Sequence, residues 1–397
     1  MNVLVAAPAF SDRISGIQRH ALNLVRCLLQ HKEVSAVQLV VAPWQNQMLQ
    51  ADWFVPDRRL TTHVVEMKAS SLSRNTWYYH GLPCLTARLR PDVVHLTYPV
   101  PINRRALGCA VVATLHDLYP YEIPENFGFP KVLVNRLILQ QCLRSVDAVA
   151  CVSDATLLQM KRYAPPRNVW QKATRIYNCV EPERLCSVRS PIAGWHHEPF
   201  LLSVAQHRRN KNLPLLIRAF HRLHKAARVD SKMKLIIVGI AGPETPTLKR
   251  LISNLDLQHS VLLLSGITEP ELQWCYGRCA ALVVPSQTEG FGLPVVEALL
   301  AGCPVVCSDI PPFREVGGDR CIYVPLGAGE EQLLADAIVK SLCKPERVPL
   351  AFPQYSSKVL AEEYVGLYRS LIAARSPVQR TDSTQRFSAV SHNGGLL

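Results

Sequence analysis

A chain of 397 residues with 48% hydrophobic content has room for two domains of about 200 residues, each with its own core. Its net charge of +13 is dispersed over single Lys and Arg residues with no nucleic-acid-module signature, which excludes a nucleic-acid partner. No apolar run approaches the ~20 residues of a membrane span, and 13 cysteines, odd in number and scattered through apolar segments, exclude a disulfide framework.

The charge is uneven: residues 1–190 carry 22 Lys and Arg against 13 Asp and Glu, and the remainder 22 against 18. A basic first half of this kind suits anionic lipid or a lipid diphosphate. The opening residues lack a basic n-region, so they read as a first strand of a cytoplasmic protein rather than a signal peptide. Residues 3–7 are that buried strand. Ser15 and Gly16 then open a helix to about residue 30; Ser15 suits a cap, and Gly16 either makes a plain turn or lets the backbone approach a ligand. Residues 37–42 are the second strand, and residues 44–75 read as irregular.

Residues 75–90 look helical in part, interrupted at Gly81 and Pro83. Their aromatics, beside Arg74, Arg88 and Arg90, fit an interfacial surface, although core packing is the commoner use of such residues. Residues 92–97 and 110–114 are strands. The second runs into His116-Asp117, just past a strand's carboxyl end, where open α/β sheets bind ligands. His116 there can hold a hydroxyl or carbonyl as donor or acceptor. An amphipathic helix over 129–144 and a strand over 147–152 follow. Residues 153–156 start another helix.

Residues 185–198, with Pro191 and Gly194, read as a linker. The second half begins with a strand over 200–205, followed by Arg208, Arg209 and Lys211 at the strand-to-helix turn. Three cations in such a turn are either solvated surface or a diphosphate clamp, and the carboxyl-end position favours the clamp. Further strands fall at 234–239 and 261–267. Helices near 330–343 and 354–374 close the fold, and residues 376–397 are polar enough to expect disorder.

The densest signal is at 280–302. An apolar strand leads into Glu289-Gly290-Phe291-Gly292-Leu293, then into a helix with Pro294 in its first turn and Gly302 at its end. Strand, glycine loop and helix N-terminus make an anion site, most naturally for phosphate. Glu289 and Glu297 bracket it as acceptors for sugar hydroxyls. One such turn alone signifies only tight packing, and the glutamates alone only a loop charge and a helix-terminal charge. Cys275/Cys279 and Cys303/Cys307 have i,i+4 spacing, but no histidine pair or CxxC completes a zinc site.

The Glu289-to-Glu297 stretch, with residues 301–316 after it, resembles the Glu-x7-Glu motif of the retaining glycosyltransferases of family 4. That resemblance covers residues 1 to about 374. It implies the GT-B fold: two Rossmann-like parallel-sheet domains facing across a cleft. The acceptor-side domain is expected at 1–184, the linker at 185–198, and the nucleotide-sugar domain at 199–353. A helix over 354–375 returns to the first domain, leaving a tail at 376–397. The Tyr177-to-Arg184 segment resembles the family's Asn-Gly-Val-Asp ending of the first domain, with Cys179 in place of the glycine.

By the same resemblance, Gly16 faces the donor phosphates and acceptor, and His116 the donor sugar. Lys211 and an arginine, Arg209 in preference to Arg208, neutralise the leaving diphosphate. The backbone at Gly266-Ile267 receives the base. Glu289 holds sugar hydroxyls and Glu297 the ribose, with Gly290, Phe291, Gly292 and Leu293 lining the donor. The Thr114-x-His116-Asp117-Leu118 pattern resembles a subset rich in mannosyltransferases. The expected reaction is therefore retaining transfer of mannose from GDP-mannose to a lipid-linked or oligosaccharide acceptor of a surface polysaccharide. A UDP-sugar transferase and a nucleotide-sugar 2-epimerase of the same fold are the alternatives. No Asp-x-Asp occurs in the chain, so neither a metal nor another cofactor is expected. The setting expected is cytoplasmic, peripheral on the membrane's inner face.

Overall fold

The computed structural model describes residues 1–9, 16–45, 57–163, 167–181, 189–192, 195, 198–343 and 347–375. Ser15, most of the 185–198 segment and the 376–397 tail lie outside the described residues. Two all-parallel sheets organise the chain. The first orders seven strands as β3-β2-β1-β4-β5-β6-β7, from β1 (Asn2–Ala6), β2 (Ala36–Val41), β3 (Leu60–Val64), β4 (Val93–Leu96), β5 (Ala110–Leu115), β6 (Ala148–Cys151) and β7 (Ala173–Arg175). The second orders six as β10-β9-β8-β11-β12-β13, from β8 (Phe200–Val204), β9 (Lys234–Val238), β10 (Val261–Leu264), β11 (Ala281–Val284), β12 (Val305–Ser308) and β13 (Cys321–Val324).

The strands are short Val/Leu/Ile runs because helices cover both faces of a parallel sheet. β1, β4, β5 and β6 are almost wholly buried. Strand order reverses between β1 and β4 in one sheet and between β8 and β11 in the other. Crevices for ligands open at the carboxyl ends of strands at such reversals. In the second sheet that places the loops after β8 and β11 side by side, bringing Lys211 beside Glu289.

The final helix, Ser357–Arg375, leaves the second domain and packs on the first. Its Leu360, Ala361, Tyr364, Val365 and Tyr368 join a core with Val3, Val5, Leu24 and Leu28. Each fully buried side chain of this size contributes about 1.5–3 kcal/mol, so the helix is a substantial inter-domain tie. A second tie is Glu315, whose carboxylate oxygens accept from the backbone N–H groups of Asp154 (2.7 Å) and Ala155 (3.0 Å). A carboxylate from one domain thus caps the helix Asp154–Tyr163 of the other. Tyr177, Phe291 and Tyr355 form a third contact, with ring centroids 5.0–5.9 Å apart.

Several local expectations change. The 44–75 stretch contains β3, a half-exposed edge strand whose polar Thr61, Thr62 and His63 hide the strand pattern. The helix over 71–89 runs through Gly81 and Pro83 by way of a π turn at Trp77–Gly81. Gly81 is needed there because a Cβ would meet the Trp77 indole at 2.6 Å. Tyr78 goes into the core, its hydroxyl 3.3 Å from the carbonyls of Ala6 and Pro8. The helix Lys131–Ser145 buries Leu139, Cys142 and Leu143 but leaves Leu133, Val134 and Leu137 exposed. Among the described residues no helix is long and apolar enough to cross a membrane.

Candidate active site

The loop after β11 and the loop after β8 build one wall. Glu289 is held from three sides: Lys211 Nζ lies 2.6 Å from Oε1, the Ser286 hydroxyl donates to Oε1 at 2.8 Å, and the Tyr119 hydroxyl donates to Oε2 at 3.2 Å. Lys211 and Glu289 side chains are 17% and 12% exposed, so the pair is largely shielded from solvent. Asn210, fully buried, fixes the turn between them: its carbonyl accepts from Gln287 N at 2.8 Å, and its side chain meets Asn126 of the first domain at 3.2 Å. Lys211 and Glu289 were expected in the site, and the fold brings them together. Tyr119, Asn210 and Asn126 were not foreseen, since each acts through contacts between segments distant in sequence; Ser286 stands only three residues before Glu289, in the same loop.

Gly290 also serves the fold: a Cβ there would sit 1.6 Å from the His116 carbonyl oxygen, so the glycine admits the first domain's main chain. The Gly290 carbonyl accepts from the Ser153 hydroxyl at 2.5 Å and the Thr156 hydroxyl at 3.0 Å. Gly292, at φ +104°, is the N-cap of the helix Leu293–Leu300, a conformation that favours glycine. No side chain caps that helix start, so its first N–H groups lack intrahelical partners. Phe291 is buried in the inter-domain aromatic cluster, and Leu293 and Ile267 pack against the same core. Gly266, at φ +73°, and Gly16 have open space beside them.

The opposite wall is the end of β5. His116 Nε2 is 2.8 Å from the Thr97 carbonyl. A carbonyl only accepts, so Nε2 carries the hydrogen. Burial holds the ring's pKa down at about 4, so it is neutral and its Nδ1 is left as an acceptor. His20 lies edge-on at 4.7 Å, between Asn178 Oδ1 (2.8 Å) and Thr114 Oγ1 (3.1 Å). His95 links Thr114 Oγ1 (2.7 Å) to the Tyr368 hydroxyl (2.6 Å) of the final helix. Beside His116, burial pushes the Asp117 carboxyl up to about 6, against the pull of Lys211 and Arg208. Of the two candidate arginines, Arg208 contributes to that pull. Both arginine side chains are exposed.

Glu297 accepts from the Tyr276 hydroxyl at Oε2 (2.6 Å) and from Arg19 Nη1 at Oε1 (2.6 Å). Arg19 belongs to the first domain's helix Gly16–Gln30 and also pairs with Glu269. Nothing in the spacing of the sequence marks Arg19. The arrangement offers a cationic pocket at a helix N-terminus, two carboxylates for hydroxyl groups, and a neutral histidine opposite.

Comparison with known proteins fits this geometry. The Glycosyltransferase Family 4 profile matches residues 14–184, and the profile of the glycosyl transferases group 1 matches 191–347. The chain is 30% identical over 257 residues to the O-antigen chain mannosyltransferase RfbU of Salmonella typhimurium, covering 60% of this chain and 68% of that one. It is 24% identical over 346 residues to the O-antigen chain mannosyltransferase B of Escherichia coli, covering 80% and 85%. A Campylobacter jejuni N-acetylgalactosaminyltransferase acting on a diphospho-undecaprenol saccharide is 36% identical over 234 residues, 58% of each chain.

Among solved structures, sucrose-phosphate synthase from Thermosynechococcus elongatus superposes with a TM-score of 0.70 at 17% identity, covering 94% and 99%. The Anabaena HepE structure with UDP and glucose gives 0.61 at 17%, covering 95% and 100%. These likenesses identify the two-sheet architecture as GT-B. With one family profile on each half and a relative of this identity along two thirds of its length, the chain belongs to the family 4 glycosyltransferases.

Proposed function

We propose that the protein is a retaining mannosyltransferase that moves mannose from GDP-mannose to a hydroxyl of a lipid-linked saccharide in surface polysaccharide synthesis. The observation that carries the chemistry is the junction of Lys211 and Glu289 at 2.6 Å, facing His116 across the cleft. In this reading Lys211, Arg208 and the N-terminus of the helix Leu293–Leu300 meet the charge that develops on the leaving diphosphate. This work is done without a metal, because the chain supplies cations where Asp-x-Asp is missing. Glu289 holds the sugar hydroxyls, His116 accepts from one of them through Nδ1, and Glu297 holds the ribose. The acceptor hydroxyl attacks on the face the diphosphate leaves, and the departing phosphate oxygen takes its proton.

Mannose and O-antigen are supported by the names of the two O-antigen relatives, and a polyprenyl diphosphate acceptor by that of the Campylobacter relative. The alternative, a UDP-sugar donor, is favoured by the UDP and glucose bound in HepE. Incubating the protein with GDP-mannose, UDP-glucose and UDP-N-acetylgalactosamine, with and without a polyprenyl-diphosphate saccharide, tests the reading. Acceptor-dependent release of GDP is expected. Turnover of a UDP-sugar alone would replace the donor, and donor conversion without acceptor would replace transfer by epimerisation.

A further inference from the structure

Arg19 belongs to the first domain, yet its guanidinium reaches into the second. Nη1 is 2.6 Å from Glu297 Oε1 and Nη2 meets Glu269 Oε2, with side-chain exposures of 21%, 10% and 14% for Arg19, Glu297 and Glu269. Tyr276 holds the other oxygen of Glu297 at 2.6 Å, and Gln273 donates to Glu269 at 3.0 Å. The cluster is largely shielded from water, and its charge-assisted bonds are roughly twice as strong as neutral ones. Glu297 is the carboxylate proposed as the ribose acceptor, and a role for Arg19 in donor binding rests on that reading. A ribose diol has to approach the oxygen that Arg19 occupies, and a hydroxyl is the weaker donor.

We propose that Arg19 is a competitive latch on the donor site. In the empty enzyme it occupies Glu297 and ties the helix Gly16–Gln30 to the second domain. The ribose of an entering nucleotide displaces it. Glu269 keeps the released guanidinium paired, so displacement does not strand a charge in a shielded site. Apparent affinity is then lowered by the fraction of molecules in which Glu297 is available. A nucleotide without the diol has no use for Glu297 and does not meet the latch.

The test measures dissociation constants of GDP and 2′,3′-dideoxy-GDP, and of the UDP pair in parallel, for the wild type, Arg19→Gln, Glu269→Gln and Glu297→Gln. The latch predicts that Arg19→Gln binds GDP about tenfold more tightly, through the recovered fraction of available sites, with dideoxy-GDP unchanged. Glu269→Gln takes away the resting place and should weaken GDP severalfold, again without affecting the dideoxy form. That variant decides the matter if Arg19→Gln does not fold, and unchanged or tighter GDP binding by it overturns the latch. Weaker GDP binding by Arg19→Gln makes Arg19 a donor ligand and also overturns it. Unchanged GDP binding by Arg19→Gln, in an enzyme that still prefers GDP to its dideoxy form, removes the latch and leaves the ribose reading standing. Equal binding of both nucleotides by the wild type and by Glu297→Gln removes the ribose reading and the latch with it.

Discussion

Gly290 rests directly on the main chain of His116: a side chain there would place Cβ 1.6 Å from the His116 carbonyl oxygen. The glycine loop that presents Glu289 is thus seated on the end of β5, and the Ser153 and Thr156 hydroxyls fasten it there. The spacing between the two walls of the cleft is set by this contact.

Gly290→Ala should therefore force the walls apart. Overpacking of this kind costs about 1–3 kcal/mol. Because the blocked atom is backbone, the relief available is domain separation. We expect a lower melting temperature, a larger radius of gyration in solution scattering and loss of transfer activity. Gly16→Ala, beside open space, is the matched control and should leave scattering unchanged. Native scattering from Gly290→Ala would refute the seating role.

The fold was legible because parallel strands buried on both faces read as apolar runs; β1, β5, β8 and β11 all stand out in this way. β3 was not, since an edge strand shows no such run, and β7 has only three residues. Lys211 and Glu289 were legible because each sits in its own strand-to-helix loop with local turn chemistry around it. Arg19, Tyr119 and Asn126 were not, because their partners lie 84 to 278 residues away and no local pattern encodes such a meeting.

In the proposed reading Lys211 opposes charge that grows on the leaving diphosphate, so its removal should act mainly on the transition state. Lys211→Ala is expected to lower kcat/KM by ~10²–10³, with Arg208→Ala more damaging than Arg209→Ala. Steady-state kinetics on folded variants checks both. Activity of Lys211→Ala close to wild type would remove the cation pair from the account.

A leaving group neutralised by side chains has no need of a divalent ion. Transfer is expected to persist in excess EDTA at an unchanged rate. Complete loss restored by magnesium or manganese would show that the diphosphate is metal-held.

His95 is fully buried between Thr114 and Tyr368, and burial lowers its pKa from 6.5 to about 3. A group depressed in the folded state stabilises above its unfolded pKa, and that stability is lost as pH falls toward the folded value. At pH 5 the loss from this residue is about 2 kcal/mol, because the unfolded chain takes up the proton and the folded one does not. Asp117 acts in the opposite sense, its raised pKa favouring the fold as pH drops below about 6, but it is one group against His20, His95 and His116. Urea unfolding at pH 7 and pH 5 should show the wild type losing more stability than His95→Gln by about this amount. Equal losses would mean that His95 does not titrate on unfolding.

The helix Lys131–Ser145 carries the case for a membrane surface. Leu133, Val134 and Leu137 are 45%, 50% and 70% exposed at neighbouring helical positions, and Phe129, just before the helix, is 83% exposed. No acidic residue lies between Glu125 and Asp147, whereas Lys131, Arg136 and Arg144 do. An apolar stripe with only positive charge beside it suits an anionic lipid surface. The stripe also adjoins the cleft, since Asn126, just before the helix, bonds Asn210 behind Lys211. A polyprenyl-linked acceptor held in that surface would arrive at the site of transfer. Burying one Leu or Phe fully is worth about 1.5–3 kcal/mol, so Leu133→Ser with Leu137→Ser should lower vesicle partitioning by ~10²-fold or more. Co-sedimentation should show binding to anionic vesicles, weakened by salt as the Debye length shortens, and little binding to zwitterionic ones. A protein that ignores anionic vesicles at low salt would leave the stripe without this role and make a soluble acceptor the better reading.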